Sequence, residues 1–190
     1  MNMAKVIPVE VSARHCHLSQ KDIDKLFGKG YQLKKAWQLT QPSDFAAEEK
    51  VDVQSGKNKL SLRVIGPARK ETQVELSITD AFRLKIKPVL KISGDLKNTP
   101  GITLVGPKGR VRINRGAIIA LRHIHCTQKE AKAMGFKNNQ KASIRIAGAR
   151  GLIFNNVIIR TGENYRLCCH IDSDEGNGAG INKKAKGYLL

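Results

Sequence analysis

The sequence predicts a mainly β protein with short helices, built as two related small β-barrel domains from an internal duplication. Three observations carry that prediction. Segments 59–65, 74–78, 102–105, 110–113, 143–146, 152–159 and 166–171 are short, β-branched and alternating, and glycine or proline cuts them apart. An Arg-His-x-His tetrapeptide occurs twice, as Arg14-His15-Cys16-His17 and as Arg122-His123-Ile124-His125, each inside a longer matching context. The helical stretches are brief, so a doubly wound sheet would lack its crossover helices.

Along the chain, each copy of the repeat reads as strand, histidine pair, helix N-cap and short helix. Thr127 precedes Glu130 by three residues, the strict capping-box spacing, and Ser19 precedes Asp22 in a looser form of it. The predicted helices run over 20–27 and 128–134 and are closed by Gly28 and Gly135. After the first helix comes an excursion over 31–59, with Gln41-Pro42-Ser43 and the acidic pair Glu48 and Glu49, which the second copy lacks. A second parallel sets Leu62-Arg-Val-Ile-Gly-Pro-Ala-Arg69 against Ile144-Arg-Ile-Ala-Gly-Ala-Arg150. The turn-rich stretch from Ser93-Gly94-Asp95 to Thr99-Pro100-Gly101 is the natural boundary. The expected domains are therefore residues 1–97 and residues 98–190, with one histidine motif each. Gly106-Pro107-Lys108-Gly109 joins two of the short strands as a hairpin turn.

Composition narrows the partners. No apolar run reaches 18 residues, so no membrane helix is expected, and no secretory leader is apparent. A cytoplasmic location is the expectation. The net charge of +18 attracts polyanions, which include nucleic acid and phosphate-rich small molecules. That charge is spread along the chain, and one Trp, three Tyr and five Phe give few stacking platforms for bases. The four cysteines, Cys16, Cys126, Cys168 and Cys169, each lie within two residues of a histidine. In a reducing compartment they are thiols rather than disulfides. Strand alternation turns Cys16 and Cys126 away from their histidine neighbours and puts Cys168 on the face of His170, so Cys168 is a candidate secondary ligand.

Four of the five histidines sit in the two motifs, and the fifth is His170 in Cys168-Cys169-His170-Ile171-Asp172. In a strand, residues i and i+2 share a face, so each His-x-His presents two imidazoles to one place, and neutral imidazole is a common zinc ligand. A catalytic zinc ion commonly takes three protein ligands and keeps one position open. If His123, His125 and His170 form one such set, the repeat assigns the third ligand of His15 and His17 to the strand over 73–77. Its one ionisable side chain is Glu75, with Glu48 and Glu49 as alternative carboxylates. Arg69 precedes Glu75 by six residues and is the candidate for binding an anionic substrate, because guanidinium grips phosphate through paired hydrogen bonds. Arg14 and Arg122 flank the histidines and point away from them.

These residues belong to a longer series of motifs. It comprises Arg14-His-Cys-His-Leu-Ser, Phe45-Ala-Ala-Glu-Glu, Gly66-Pro-Ala-Arg-Lys-Glu-Thr-Gln-Val-Glu75 and Thr79-Asp-Ala-Phe-Arg-Leu. It continues with Ser93-Gly-Asp-Leu, Thr99-Pro-Gly-Ile-Thr-Leu-Val-Gly-Pro-Lys-Gly109, Arg122-His-Ile-His, Arg150-Gly-Leu-Ile-Phe and His170-Ile-Asp-Ser-Asp-Glu175. In this order the chain resembles the phosphate propanoyltransferase family of phosphotransacylases, which occur in bacterial microcompartments for propanediol utilisation and as free relatives. The resemblance implies a two-barrel, dinuclear zinc enzyme that interconverts a short-chain acyl-CoA plus phosphate with an acyl phosphate plus CoA. It implies His15, His17 and Glu75 as ligands of one zinc ion, His123, His125 and His170 as ligands of the other, Arg69 as the phosphate-holding residue, and a homodimer. In this reading phosphate sits on the His123/His125/His170 ion and the CoA sulfur near the other. Microcompartment members carry an N-terminal amphipathic extension, for which the few residues up to Val6 are too short, so a free cytoplasmic enzyme is expected. Two other readings compete. One is a zinc-dependent thioester hydrolase with Glu48 or Glu49 as base; the other is a basic, metal-stabilised nucleic-acid-binding module.

Overall fold

A computed structural model describes residues 5–190; Met1–Ala4, and with them most of the short N-terminal segment discussed above, lie outside the described residues. In chain order the elements are β1 (Val6–Ser12), β2 (His15–His17), α1 (Gln20–Phe27), β3 (Lys35–Gln38), β4 (Phe45–Ser55), β5 (Asn58–Gly66), β6 (Gln73–Leu76), α2 (Ile78–Arg83), β7 (Leu90–Lys91) and β8 (Ile102–Val105). They continue with β9 (Arg110–Ile113), β10 (Ala117–Ala120), β11 (His123–Cys126), α3 (Gln128–Met134), β12 (Lys141–Ile146), β13 (Leu152–Thr161), β14 (Cys168–Asp172), α4 (Ser173–Ala179) and β15 (Lys184–Leu189). The fold is mainly β with short helices, as the sequence predicts.

One sheet is a closed barrel in the order β1-β14-β11-β13-β12-β15. Its interior holds Ile7, Val9, Ile124, Cys126, Ile144, Val157, Ile159, Cys169 and Ile171, the inward half of each alternating strand. The other sheet is a curled half-barrel in the order β7-β10-β6-β2-β5-β4-β8-β9, with β3 added against β4. Its own core contains Cys16, Leu18, Val51, Leu62, Val64, Val74, Leu104 and the apolar stripe of α1, Ile23, Leu26 and Phe27. Those three are spaced i, i+3 and i+4, so one face of a two-turn helix is buried, each leucine-sized side chain contributing ~1.5–3 kcal/mol. The Ser19 side chain accepts the Asp22 N–H at the start of α1. At its other end the 106–109 hairpin packs against the helix, where Lys108 N–H donates to Leu26 O at 3.0 Å. A Cβ on Gly106 would stand 2.6 Å from that carbonyl oxygen, so the approach requires glycine.

The compact units do not divide between residues 97 and 98. One contains the residues up to Ala13, Thr40–Pro42 and Leu121–Leu190; the other contains Arg14–Leu39 and Ser43–Ala120. The cause is a reciprocal strand exchange. The strand entering the first histidine motif, β1, lies parallel to β14, with Glu10 beside His170. The strand entering the second motif, β10, lies parallel to β6, with Ile118 beside Glu75. These two strands hold equivalent places in the repeat, so each half has traded its first strand for that of the other. Residues 98–120 therefore complete the half-barrel, and 40–42 join the barrel unit through Gln41, whose amide bonds the Arg166 backbone at 3.0 and 3.1 Å.

Arg14 and Arg122 carry the duplication one step further. Arg14 makes a two-pronged ion pair with Asp80, Nε to Oδ2 at 3.0 Å and Nη2 to Oδ1 at 2.9 Å. Arg122 Nε pairs with Glu175 Oε1 at 2.9 Å. Asp80 and Glu175 are equivalent: each is the N3 carboxylate of a capping box, on α2 and α4 respectively. Each motif arginine thus ties its strand to the helix that follows the strand of the third candidate ligand. Asp80 is only 2% exposed, so removing its cation strands a buried charge. Arg14→Met is expected to lower the unfolding free energy by about 1–3 kcal/mol, less than for a fully buried pair because the guanidinium is partly solvated. Urea unfolding of the variant against Arg122→Met would measure it, and an unchanged midpoint would remove the pair from the account of stability.

Candidate metal centres and phosphate site

In the half-barrel, β2 lies between β5, which runs parallel, and β6, which runs antiparallel and sets His15 opposite Glu75 and His17 opposite Gln73. The alternation therefore brings three donors to one face. His15 Nε2 lies 3.6 Å from Glu75 Oε2, and His17 Nε2 lies 3.9 Å from Glu75 Oε1. One ligand atom from each residue falls within 4.8 Å of the others, and all three side chains are buried. His17 Nδ1 lies 3.2 Å from Ile65 O; a carbonyl only accepts, so that nitrogen carries the proton and Nε2 presents its lone pair toward Glu75. Burial, then the charges of His15 and Arg69, push the His17 pKa well below its usual range, which keeps the imidazole in its neutral, ligating form.

Glu75 is oriented in turn. Gln73 Nε2 and Ser93 Oγ donate to its Oε1 at 2.5 and 2.7 Å, and Gly94 N–H holds the Gln73 amide from behind at 2.8 Å. Outer contacts of this kind set the direction of a metal-binding carboxylate. A buried carboxylate facing two imidazole nitrogens is a donor set suited to zinc. The alternative carboxylates lie elsewhere: Glu49 accepts the Tyr31 hydroxyl at 2.7 Å and the Lys34 N–H at 3.2 Å, and Glu48 is exposed. Among the described residues neither joins a histidine donor group.

Arg69 sits beside the same motif for a backbone reason. Its N–H donates to Leu18 O at 2.8 Å, and it forms a bridge with Ser19, two residues after His17. Thr72 clips the same loop to the start of α1 by accepting the Ser19 N–H at 3.0 Å and donating to Asp22. The guanidinium is one-third exposed, with Nη2 at 3.6 Å from Asp44 Oδ2. That distance is too long for a strong bond and leaves its donors able to turn to an anion.

The barrel repeats the plan. β11 lies between parallel β13 and antiparallel β14, with His123 opposite His170 and His125 opposite Cys168. The ring centroids are 4.6 Å apart for His123–His125, 5.4 Å for His123–His170 and 5.2 Å for His125–His170. His123 Nδ1 lies 2.8 Å from Leu121 O, the same tautomer-setting contact that His17 makes. The tightest donor group here is Glu10, Cys168 and His170, whose ligand atoms lie within 4.8 Å of one another. Glu10 escaped the sequence reading, because only the exchanged strand β1 places it beside His170. Burial would raise its carboxyl pKa, but hydrogen bonds from Lys184 and Thr40 outweigh that and hold it below the usual value. The Tyr165 ring lies tilted against His125, with centroids 4.3 Å apart, and no local sequence pattern signals that contact.

Burial, with smaller contributions from acidic neighbours, pushes the Cys126 and Cys168 thiols up to about 11 and about 12. Cys16 and Cys169 are raised further by burial. Without a metal all four are protonated and poor nucleophiles.

Among the described residues the donor groups are therefore His15, His17 and Glu75 in one unit and Glu10, Cys168 and His170 in the other, with Arg69 in the same unit as the first; His123 and His125 are in ring contact with His170 but outside its donor group. The profile of the phosphate propanoyltransferase family matches residues 8–182. The chain belongs to the phosphate propanoyltransferase family. A phosphate propanoyltransferase of Thermotoga maritima is 47% identical over 97% of this chain and 89% of its own length. Proteins of the same description from Priestia megaterium and Enterococcus faecalis are 46% and 41% identical, covering 98% and 96% of this chain and 86% and 87% of their own. The family is one of acyltransferases, and the chain is an enzyme of that class. Among the described residues no helix is long and apolar enough to cross a membrane.

Proposed function

We propose that this phosphate propanoyltransferase family member is a phosphotransacylase that interconverts a short-chain acyl-CoA and phosphate with an acyl phosphate and CoA. One zinc ion is held by His15, His17 and Glu75, a second by His123, His125 and His170, and phosphate by Arg69. The observation that carries the reading is the backbone pairing of Arg69 with Leu18–Ser19, which sets a guanidinium beside a buried two-imidazole, one-carboxylate donor set. Because Arg69 shares a unit with the first donor set, we put phosphate at that ion rather than at the three-histidine one. Bound zinc supplies Lewis acidity toward a carbonyl or phosphate oxygen and affinity for sulfur.

The chain's own residues do the rest. Arg69 neutralises and orients phosphate so that one of its oxygens can attack the thioester carbonyl carbon. The new C–O bond forms, the C–S bond breaks, and CoA leaves with the electron pair as thiolate. No acyl-enzyme is needed, and the raised pKa values of the four buried thiols argue against one. The net charge of +18 serves to attract the phosphates of CoA. A homodimer in the cytoplasm completes the proposal.

The test is phosphate dependence. With propanoyl-CoA and acetyl-CoA, release of free CoA thiol should require phosphate and yield acyl phosphate in equal amount. Thiol release that runs at full rate without phosphate would mean that water is the nucleophile and that the enzyme is a thioester hydrolase.

A further inference from the structure

We infer that Tyr165 is a positioning residue of the barrel centre, its ring holding the His125 imidazole in the orientation that meets a metal ion. The inference rests on the reading that His123, His125 and His170 hold that ion.

The duplication points to the residue. The strand orders β10-β6-β2-β5-β4 and β1-β14-β11-β13-β12 match place for place. By position in the sheet, β13 rather than β12 is therefore the counterpart of β5. The connection over 162–167, from β13 to β14, then corresponds to that over 67–72, from β5 to β6, and both are six residues long. Each is tied to its histidine motif at the same point. Arg69 N–H donates to Leu18 O, and Gly162 N–H donates to Cys126 O at 3.1 Å; Leu18 and Cys126 each follow the second histidine of a motif. The first connection uses this anchor to bring a guanidinium beside its histidine pair. The second brings an aromatic ring: the Tyr165 and His125 centroids are 4.3 Å apart, with the planes inclined at 48°.

The ring is fixed by its own surroundings. Tyr165 N–H closes a turn on Gly162 O at 3.3 Å. A Cβ on Gly162 would stand 2.9 Å from Cδ2 and Cε2 of Tyr165, so the ring takes the space that any other side chain would need. The φ of Gly162 is not left-handed, so it is the ring and not the backbone that calls for glycine there. Beside Tyr165, the buried Gln41 side chain donates to Arg166 O at 3.0 Å and accepts Arg166 N–H at 3.1 Å.

His125 thus meets Tyr165 as well as the rings of His123 and His170, whose centroids lie 4.6 and 5.2 Å away. An imidazole so enclosed has little freedom to turn about χ2, and a ligand already in its bound orientation holds metal more tightly than one that must be ordered. The segment 40–42, drawn from the first half of the sequence into the barrel unit, gains a task from this. Through Gln41 and the 162–167 turn it braces a metal ligand.

Full-length protein stripped of metal and reloaded with cobalt(II) should take up two ions, and competition with a chelator reads the affinity of each. Tyr165→Ala should weaken one ion by about tenfold or more and shift its visible ligand-field bands. Tyr165→Phe should leave affinity and bands as they are, because the ring and not the hydroxyl does the holding. Gly162→Ala keeps Tyr165 but displaces its ring, so it should weaken the same ion to a smaller extent, and it decides the matter if Tyr165→Ala does not fold. In His170→Gln, which retains only the half-barrel ion, adding Tyr165→Ala should change nothing further. Unaltered affinity and bands in Tyr165→Ala would overturn the inference and leave the two-ion reading standing. So would a Tyr165→Phe variant as weak as Tyr165→Ala, or a further loss in the His170→Gln background. Failure of the unaltered protein to take up a second cobalt ion would overturn both.

Discussion

Arg69→Ala is expected to lower kcat for acyl transfer by ~100–1,000-fold while leaving the metal content unchanged. The separation of these effects follows from position. Arg69 is attached to the first motif through its backbone N–H on Leu18 O, which alanine retains, and its side chain belongs to neither donor group. Only the guanidinium is lost, and with it the charge and paired donors that phosphate would use. Arg69→Lys keeps the charge without the fork and should fall between the two, with a raised KM for phosphate. Steady-state rates against phosphate concentration, paired with metal analysis of the same samples, decide the matter. Near-normal turnover in the alanine variant would remove Arg69 from the mechanism.

Glu75→Gln is expected to have the second large effect, loss of the metal ion of the half-barrel with retention of the barrel ion. The substitution keeps the shape and replaces a carboxylate by an amide, which lacks the charge that zinc selects. It also disturbs the buried donors arranged around Oε1, Gln73 and Ser93, which were placed to meet a carboxylate oxygen. Metal content should fall from two ions per chain to one, and acyl transfer should be lost by at least ~100-fold, consistent with an ion that meets substrate. A variant that retains both ions would move the third ligand away from Glu75. The corresponding change at the barrel, His170→Gln, should remove the other ion, so the two substitutions together separate the centres.

Much of this site can be read from the chain because strand alternation and helix capping are local. His15 and His17 share a face whatever their neighbours are, and so do His123 and His125. The capping signatures at Ser19 and Thr127 likewise marked α1 and α3, each within the residues expected. The same signatures stand at Ser77–Asp80 and Asp172–Glu175, yet α2 and α4 were not expected. These helices are six and seven residues long, and α4 contains Gly176 and Gly178, so local propensity alone does not announce them. Tertiary bonds to Arg14 and Arg122 help to hold them.

By itself the sequence determined the class of the fold, the duplication, and which side chains each short strand would present together. Only the tertiary structure decided which strand lies beside which. It joined β1 to β14 and β10 to β6, moved the unit boundaries away from residue 97, and brought Glu10 next to His170. It also set Cys168 opposite His125 and Gln73 opposite His17. The physical reason is that a period of two fixes the face of a strand and says nothing about its partner, since every extended backbone offers the same N–H and C=O groups. The choice among partners is made by whole apolar faces closing into a core, and that closure is not written in any one segment.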